Sequence, residues 1–273
     1  MLHPYIPGAQ SPDTSGYVDV LNRLSRELTA ITGKRVPLYI SEIGYSTKPG
    51  GEVTEFQQAA YLARVMLLNF QIPDLKACVW HIGLWNEATS QRELDFGLLR
   101  RYDKGSPVRQ PKPAYAAWAT ASRMLYNTKY VGELNFNRKV RVLLFDKNGQ
   151  PLLAAYSLVP EEVKFQLAVN GREANLTQVC GKTMRQTIDN GVLELTLTEA
   201  PVYIEAGSLD YFGGNQFQAE FTPNDWQTAA GAKLTAQIKI PASQDKGNLT
   251  LQAVAPPEIP VTVTPLSLSL IHI

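Results

Sequence analysis

The sequence predicts an α/β unit followed by antiparallel β-sandwich material, and three observations carry that prediction. Helix-like and strand-like apolar periods alternate through the first half, the period falls to two from about Tyr130, and glycine-containing turn signals then separate the short apolar runs. Strands that are apolar on both faces and separated by helices indicate a parallel sheet covered by helices, hence a βα repeat.

The elements follow in order. Thr14 or Ser15 is placed to cap a helix whose apolar positions Val18, Leu21, Leu24, Leu28 and Ile31 recur at three- and four-residue steps, and Gly33 closes it. A strand over 36–43 comes next. Thr54-Glu55-Phe56-Gln57 is a capping box, and the apolar stretch 59–70 behind it predicts a long, mostly buried helix ending before Pro73. Residues 76–84 are strand-like. After a polar loop over 86–109, Pro111 and Pro113 introduce a helix over 114–126. Short strands are then predicted at 140–145, 152–157, 163–169, 192–197 and 202–204. Asp146-Lys147-Asn148-Gly149, Asn170-Gly171 and Asp189-Asn190-Gly191 supply the positive φ that hairpin turns need. Beyond Gly213-Gly214 the alternation restarts at 217–221, 234–240 and 249–254, a truncated further β module. The expected organisation is 1–127, 128–206 and 207–265, with a tail at 266–273.

Both ends read as unnatural. The opening Met1-Leu2-His3-Pro4-Tyr5 enters on the last residues of a strand, so an internal start is expected. The last six residues, Leu268 to Ile273, back-translate as CTG TCT CTT ATA CAC ATC, similar to the mosaic end of a transposon-based sequencing adapter, and are expected to be read-through.

Composition narrows the function. With 273 residues, 44% hydrophobic, 19% charged and a net charge of +1, the chain has no basic stripe, no like-charge block and no apolar run that spans a bilayer. Nucleic-acid and membrane partners are therefore not expected, and the partner should be neutral. Cys78 and Cys180 lie far apart and read as buried thiols. With His3, His81 and His272 as the only histidines, and no HExxH or paired-cysteine pattern, no protein-built metal site is expected. Nothing calls for a cofactor, and glycine-rich phosphate loops are missing. Asn175-Leu176-Thr177 and Asn248-Leu249-Thr250 are sequons, informative only where the source glycosylates.

One segment carries chemistry. Leu38-Tyr39-Ile40-Ser41-Glu42-Ile43-Gly44 is an apolar strand that delivers one carboxylate and stops at glycine. Burying a lone carboxylate costs several kcal/mol unless something pairs with it or uses it. Capping the turn at Gly44 is the structural alternative. Glu87, Glu93 and Asp95 read as a solvated loop. His81 alternates with Trp80 and is expected on the opposite face of its strand, away from the site.

Taken together, His3-Pro4-Tyr5, the segment around Glu42, Val79-Trp80-His81, Phe96-Gly97-Leu98-Leu99 and Lys112-Pro113-Ala114-Tyr115 resemble, in that order, the last part of a clan A glycoside hydrolase barrel, xylosidase-like and cellulase-like. The resemblance covers roughly residues 1–126. It implies the C-terminal part of a (β/α)8 TIM barrel, about strands six to eight, followed by a β-sandwich. It also implies Glu42 as the retaining nucleophile, His3 and Tyr5 at the end of strand six, and Trp80 at the end of strand eight, with Trp85 extending an aromatic wall. A full barrel takes about 250 residues, so strands one to five, and the acid/base glutamate at strand four, are absent. Asn86-Glu87-Ala88 lies too late in the order to replace it.

Retaining hydrolysis uses one carboxylate to attack the anomeric carbon and a second carboxyl group, about 5 to 5.5 Å away, to protonate the leaving oxygen and then activate water. Glu42 fits the first role, a hydroxyl from Tyr5 would favour its charged form, His3 could orient it, and Trp80 offers an apolar face to a pyranose. The expectation is a fragment of an enzyme cleaving a β-linked oligo- or polysaccharide, for which a secreted or periplasmic setting would suit. A non-catalytic carbohydrate-binding or adhesion protein, or a structural β-sandwich, is the rival.

Overall fold

The computed structural model describes residues 1–47, 53–81, 95–100, 110–134, 136, 138–213, 220–222 and 237–239. Helix α1 (Tyr17–Thr32) ends as expected: Gly33 adopts φ 69° and its N–H reaches Thr29 O. Its start differs. Gly16, at φ 72°, is the N-cap, whereas the hydroxyls of Thr14 and Ser15 donate backwards to Ser11 O and Pro12 O, forming the turn before the helix. Short hydroxyl side chains compete for nearby carbonyls in this way.

Strand β1 (Leu38–Ile43) pairs in parallel with β2 (Leu75–Trp80), and α2 (Glu55–Leu68) forms the crossover between them. Thr54 and Gln57 close the expected capping box at the start of α2: Gln57 N–H donates to Thr54 Oγ1, and Thr54 N–H to Gln57 Oε1, both at 3.1 Å. On the other side of β1, Leu2 bridges Ile40 in parallel, its N–H reaching Tyr39 O while Ser41 N–H reaches Leu2 O. Three parallel segments therefore stand side by side: the chain start, β1 and β2.

Among the described residues, one face of this sheet is covered. Leu38, Ile40 and Ile43 pack with Tyr17 and Leu21 of α1 and with Ala60, Tyr61 and Val65 of α2. Tyr39 and Val79, on the opposite face, are 49% and 52% exposed. The two-sided burial that the apolar strands predict is thus half met among the described residues.

Helix α3 (Pro113–Leu125) begins with Pro113 at a position where its missing N–H costs nothing, and it packs on α2. A six-stranded antiparallel sheet follows, built from β3 (Thr128–Leu134), β4 (Val140–Lys147), β5 (Gln150–Ser157), β7 (Glu173–Gln178), β8 (Thr183–Thr187) and β10 (Val202–Glu205). Their order is β3-β4-β5-β10-β7-β8, and β6 (Val163–Ala168) pairs with β9 (Val192–Leu197) in a separate ribbon. Of the three expected hairpin turns, Asn148 and Gly149, at φ 56° and 81°, join the paired β4 and β5; Asn190 and Gly191, at φ 51° and 76°, and Gly171, at φ 152°, also take positive φ but join strands of different sheets. Strands β3, β7 and β8 are absent from the sequence reading; β8, Thr-Met-Arg-Gln-Thr, is largely exposed and carries no apolar alternation.

Alternation in β4 and β5 assigns their two faces to two cores. Val140, Val142, Leu144, Leu153 and Ala155 meet Phe165, Leu167, Leu193 and Leu195 of the β6–β9 ribbon. Leu143, Phe145, Leu152, Ala154 and Tyr156 meet Leu67 of α2 and Ala121, Met124 and Leu125 of α3. The sheet is a middle layer, with helices on one side and the ribbon on the other.

A buried ionic knot ties these layers. Asp13 and Arg64, each about 1% exposed at the side chain, pair at 3.2 Å; Arg141 Nη1 and Tyr156 OH donate to the other Asp13 oxygen at 2.6 and 2.8 Å. Arg64 also donates to the carbonyls of Ser157 and Glu199, and its guanidinium lies 4.6 Å over the Tyr156 ring. Of the further module, the described parts are Glu220–Thr222 and Gln237–Lys239, paired antiparallel; the run at 249–254 and the tail lie outside the described residues. Cys78 is half-buried, but Cys180, expected buried, is exposed.

Candidate active site

A bulge places Glu42. Ile40 pairs with Cys78 and Ile43 with Trp80, so β1 spends three steps where β2 spends two, and the extra residue falls at Ser41–Glu42. In a regular strand these two side chains would point to opposite faces; a bulge re-aims one of them. Here both reach the same imidazole. His3 Nε2 lies 3.0 Å from Ser41 Oγ, and His3 Nδ1 lies 3.0 Å from Glu42 Oε2.

The other carboxylate oxygen belongs to His81, whose Nδ1 is 2.6 Å from Glu42 Oε1. This corrects the expectation that His81 points away from the site. It stands one residue past the end of β2, its N–H donating to Ile43 O at 2.7 Å, and alternation with Trp80 holds, but the carboxylate lies on the side that His81 faces. Trp80 does take the opposite side: its indole N–H donates to Phe96 O at 3.2 Å, and its ring lies 6.4 Å from that of the buried Tyr45. The indole is half-buried against the helical core. A histidine following directly on a strand-end tryptophan was the available signal; the period-two rule placed the pair on opposite sides correctly, and the side of Trp80 was wrongly taken as the site's.

Two rings pack against the His81 imidazole. Phe96 stands edge-on to it at 5.2 Å, Tyr5 at 6.4 Å, and Tyr5 and Phe96 meet at 5.7 Å. Tyr5 is brought there by a γ-turn across Pro4, its N–H reaching His3 O at 2.9 Å. Gly44 matters at this point. A Cβ there would lie 3.0 Å from Phe96 Cδ1 and 3.5 Å from His81 Cβ, so the residue that ends the strand must be small.

The two motif words far from Glu42 explain how Phe96 is held. Leu99 bridges Pro111, and Lys112 N–H donates to Leu98 O, which joins Phe96-Gly97-Leu98-Leu99 to Lys112-Pro113-Ala114-Tyr115. Lys112 Nζ donates to Asp95 O at 2.7 Å and to Thr47 Oγ1 at 2.9 Å, and buried Gln58 Nε2 to Phe96 O at 3.0 Å and Tyr45 O at 2.8 Å. Asp95, expected in a solvated loop, is therefore buried, at φ 69°. Arg100 closes the outside by a bidentate pair with Glu55.

The structure thus brings together His3, Tyr5, Ser41, Glu42 and His81, with Trp80 behind Gly44. Trp85, Glu87 and Glu93 lie outside the described residues. Glu42 is 28% exposed, open enough to meet a ligand. No group of His, Cys, Asp and Glu among the described residues could hold a metal ion, and no helix among them is long and apolar enough to cross a membrane. The arrangement presents one carboxylate between two imidazoles beside aromatic rings, a set able to make a nucleophile or a hydrogen-bonding group for a polar ligand, with no second carboxyl group paired to it among these residues.

No protein-family profile and no curated protein matches the chain. Among solved structures it is similar to a family 39 glycoside hydrolase from the gut symbiont Bacteroides cellulosilyticus WH2, at 26% identity and a TM-score of 0.61, over 75% of this chain and 43% of that one. A β-porphyranase of glycoside hydrolase family 86 from Bacteroides plebeius (13%, TM-score 0.48, 76% and 40% covered) and a GH30 endoxylanase from Clostridium papyrosolvens C71 (11%, 0.42, 68% and 46%) are also similar, too distantly to carry an argument. The chain has a glycoside hydrolase fold. It spans less than half the length of each of these proteins.

Proposed function

We propose that this chain is the C-terminal part of a retaining glycoside hydrolase that cleaves β-linked oligo- or polysaccharides by double displacement, with Glu42 as nucleophile. The observation that carries the proposal is the bulged strand end that turns Glu42 out of the sheet and into two imidazole contacts beside Tyr5. Carboxylates that do chemistry in barrel enzymes sit at the C-terminal ends of strands. The open face bearing Tyr39 and Val79 supports further strands closing over it in the complete protein, since parallel sheets are ordinarily covered on both sides. His3 and Tyr5 would line the sugar site, Trp80 would form its floor behind Gly44, and Trp85 would extend it.

In this reading the acid/base lies upstream, about 5 to 5.5 Å from Glu42 in the complete site. Glu42 attacks the anomeric carbon, the upstream carboxyl protonates the departing oxygen, and water activated by that same group releases the sugar. The chain by itself is expected to release no nitrophenol from aryl glycosides. Release that Glu42→Gln abolishes would overturn the incompleteness. In the protein that carries the upstream half, a cyclitol epoxide should form a covalent ester with Glu42, located by peptide mass mapping; an adduct on another carboxylate would overturn the assignment of the nucleophile.

A further inference from the structure

We infer that His81 is a positioning residue for Glu42: its Nδ1–H anchors Oε1 and leaves Oε2 as the oxygen presented to substrate. The inference rests on the reading of Glu42 as nucleophile, and it adds which oxygen attacks. The terminal torsion of a glutamate is broad and roughly two-fold, so nothing intrinsic to the side chain distinguishes one oxygen from the other. External donors must do so, and an ionised carboxylate only accepts. At 2.6 Å from Oε1, the His81 nitrogen therefore carries the hydrogen.

The two imidazoles on Glu42 are not equivalent. His81 is 22% exposed, its backbone is tied to Ile43 O, and its ring packs edge-on against Phe96 and Tyr5, which also meet each other. Its contact is short, as expected of a charge-assisted bond held in place by packing. His3 is 54% exposed, its contact with Oε2 is 3.0 Å, and its second nitrogen is shared with Ser41 Oγ. Such a solvent-facing partner exchanges readily for water or a sugar hydroxyl. A nucleophile held on one oxygen keeps the other aligned, and misplacement by about 1 Å costs roughly a hundredfold in rate. Gly44 belongs to the same device, because a Cβ there would lie 3.0 Å from Phe96 Cδ1 and oblige the ring beside the imidazole to shift.

The test uses this chain, labelled with 15N-histidine, which gives a pair of ring-nitrogen signals from each of three imidazoles, those of His3, His81 and His272. Substitution of each histidine by asparagine assigns them. The expected spectrum shows a His81 Nδ1-bound proton exchanging with water at least tenfold more slowly than that of His3. Glu42→Ala should abolish that protection while amide signals elsewhere stay in place, and Phe96→Leu should weaken it several-fold with Glu42 intact. A His81 ring protonated at Nε2 alone, an exchange order with His3 slower, or protection unchanged in Glu42→Ala would each overturn the inference. None of these readouts depends on sugar cleavage, so a failure here and a failure of the glycosidase reading are told apart.

Discussion

Removing the Asp13 carboxylate should unlock the layers of this fold. Asp13 accepts from Arg64, Arg141 and Tyr156, and its partners differ in what they lose. Arg141 is 22% exposed and keeps Glu133 at 3.0 Å, so water and that pair compensate it. Tyr156 is fully buried, and an orphaned hydroxyl there costs about 1 to 3 kcal/mol. Arg64 retains two carbonyls but, among the described residues, no other ion pair in a site with about 1% exposure. Breaking a buried pair from one side costs about 3 to 5 kcal/mol in total, a large share of the roughly 5 to 15 kcal/mol that a domain has. In urea, at a slope of about 3 kcal/mol per M, the Asp13→Ala midpoint read by circular dichroism should fall by about 1 to 2 M. Asp13→Asn keeps an acceptor for Arg141 and Tyr156 but leaves Arg64 without its counter-charge, so it should recover only the Tyr156 part of the loss, about 1 to 3 kcal/mol. The cycle with Arg64→Ala should show a coupling of at least about 1 kcal/mol. A coupling near zero, or an Asp13→Ala midpoint equal to that of the parent, would refute the knot as the tie between helices and sheet.

Gly44→Ala, which must displace Phe96 from a 3.0 Å contact, should cost about 1 to 3 kcal/mol by thermal melting and also strip the exchange protection of His81. Thr54→Ala, which removes one half of the capping box on α2, should cost about 1 kcal/mol by the same measurement. Alkali should destabilise the fold from about pH 10 upward: burial, with Glu199 adding to it, pushes Tyr61 up to about 12, and burial, with Glu133 beside it, does the same to Tyr130. A raised folded-state value means that between about 10 and 12 the folded chain holds more protons than the unfolded one, so stability declines as pH climbs through that window. Phenolate absorbance at 295 nm should accordingly rise late and together with unfolding, because Tyr156 and Tyr203, fully buried, are pushed higher still; early titration of all twelve tyrosines while the fold persists would contradict it.

Much of the local structure was legible because it depends on neighbours in sequence. Gly33, the Thr54–Gln57 box, Pro113 and the Asn148-Gly149 and Asn190-Gly191 turns each act within four residues, so composition and spacing were enough. The carboxylate at Glu42 was legible for another reason, the cost of an ion in an apolar strand. Where reading failed, a distant partner had decided the outcome. Exposed β8 pairs with β7 through backbone groups that carry no side-chain pattern. Asp95 is buried because Lys112 and Gln58 gather the carbonyls around it.

The sequence by itself determined where α1 ends, where α2 and α3 begin, where the chain reverses, and that a charge sits at the end of a strand, since these follow from backbone sterics, capping and hydrophobic period. Only the tertiary structure decided that Ser41 and Glu42 share one imidazole, that His81 faces the carboxylate, and that Arg64 joins helix to sheet. Those depend on a one-residue bulge between parallel strands and on side chains up to 143 positions apart meeting around Asp13, and strand register and long-range charge pairing are fixed by packing rather than by any local preference of the chain.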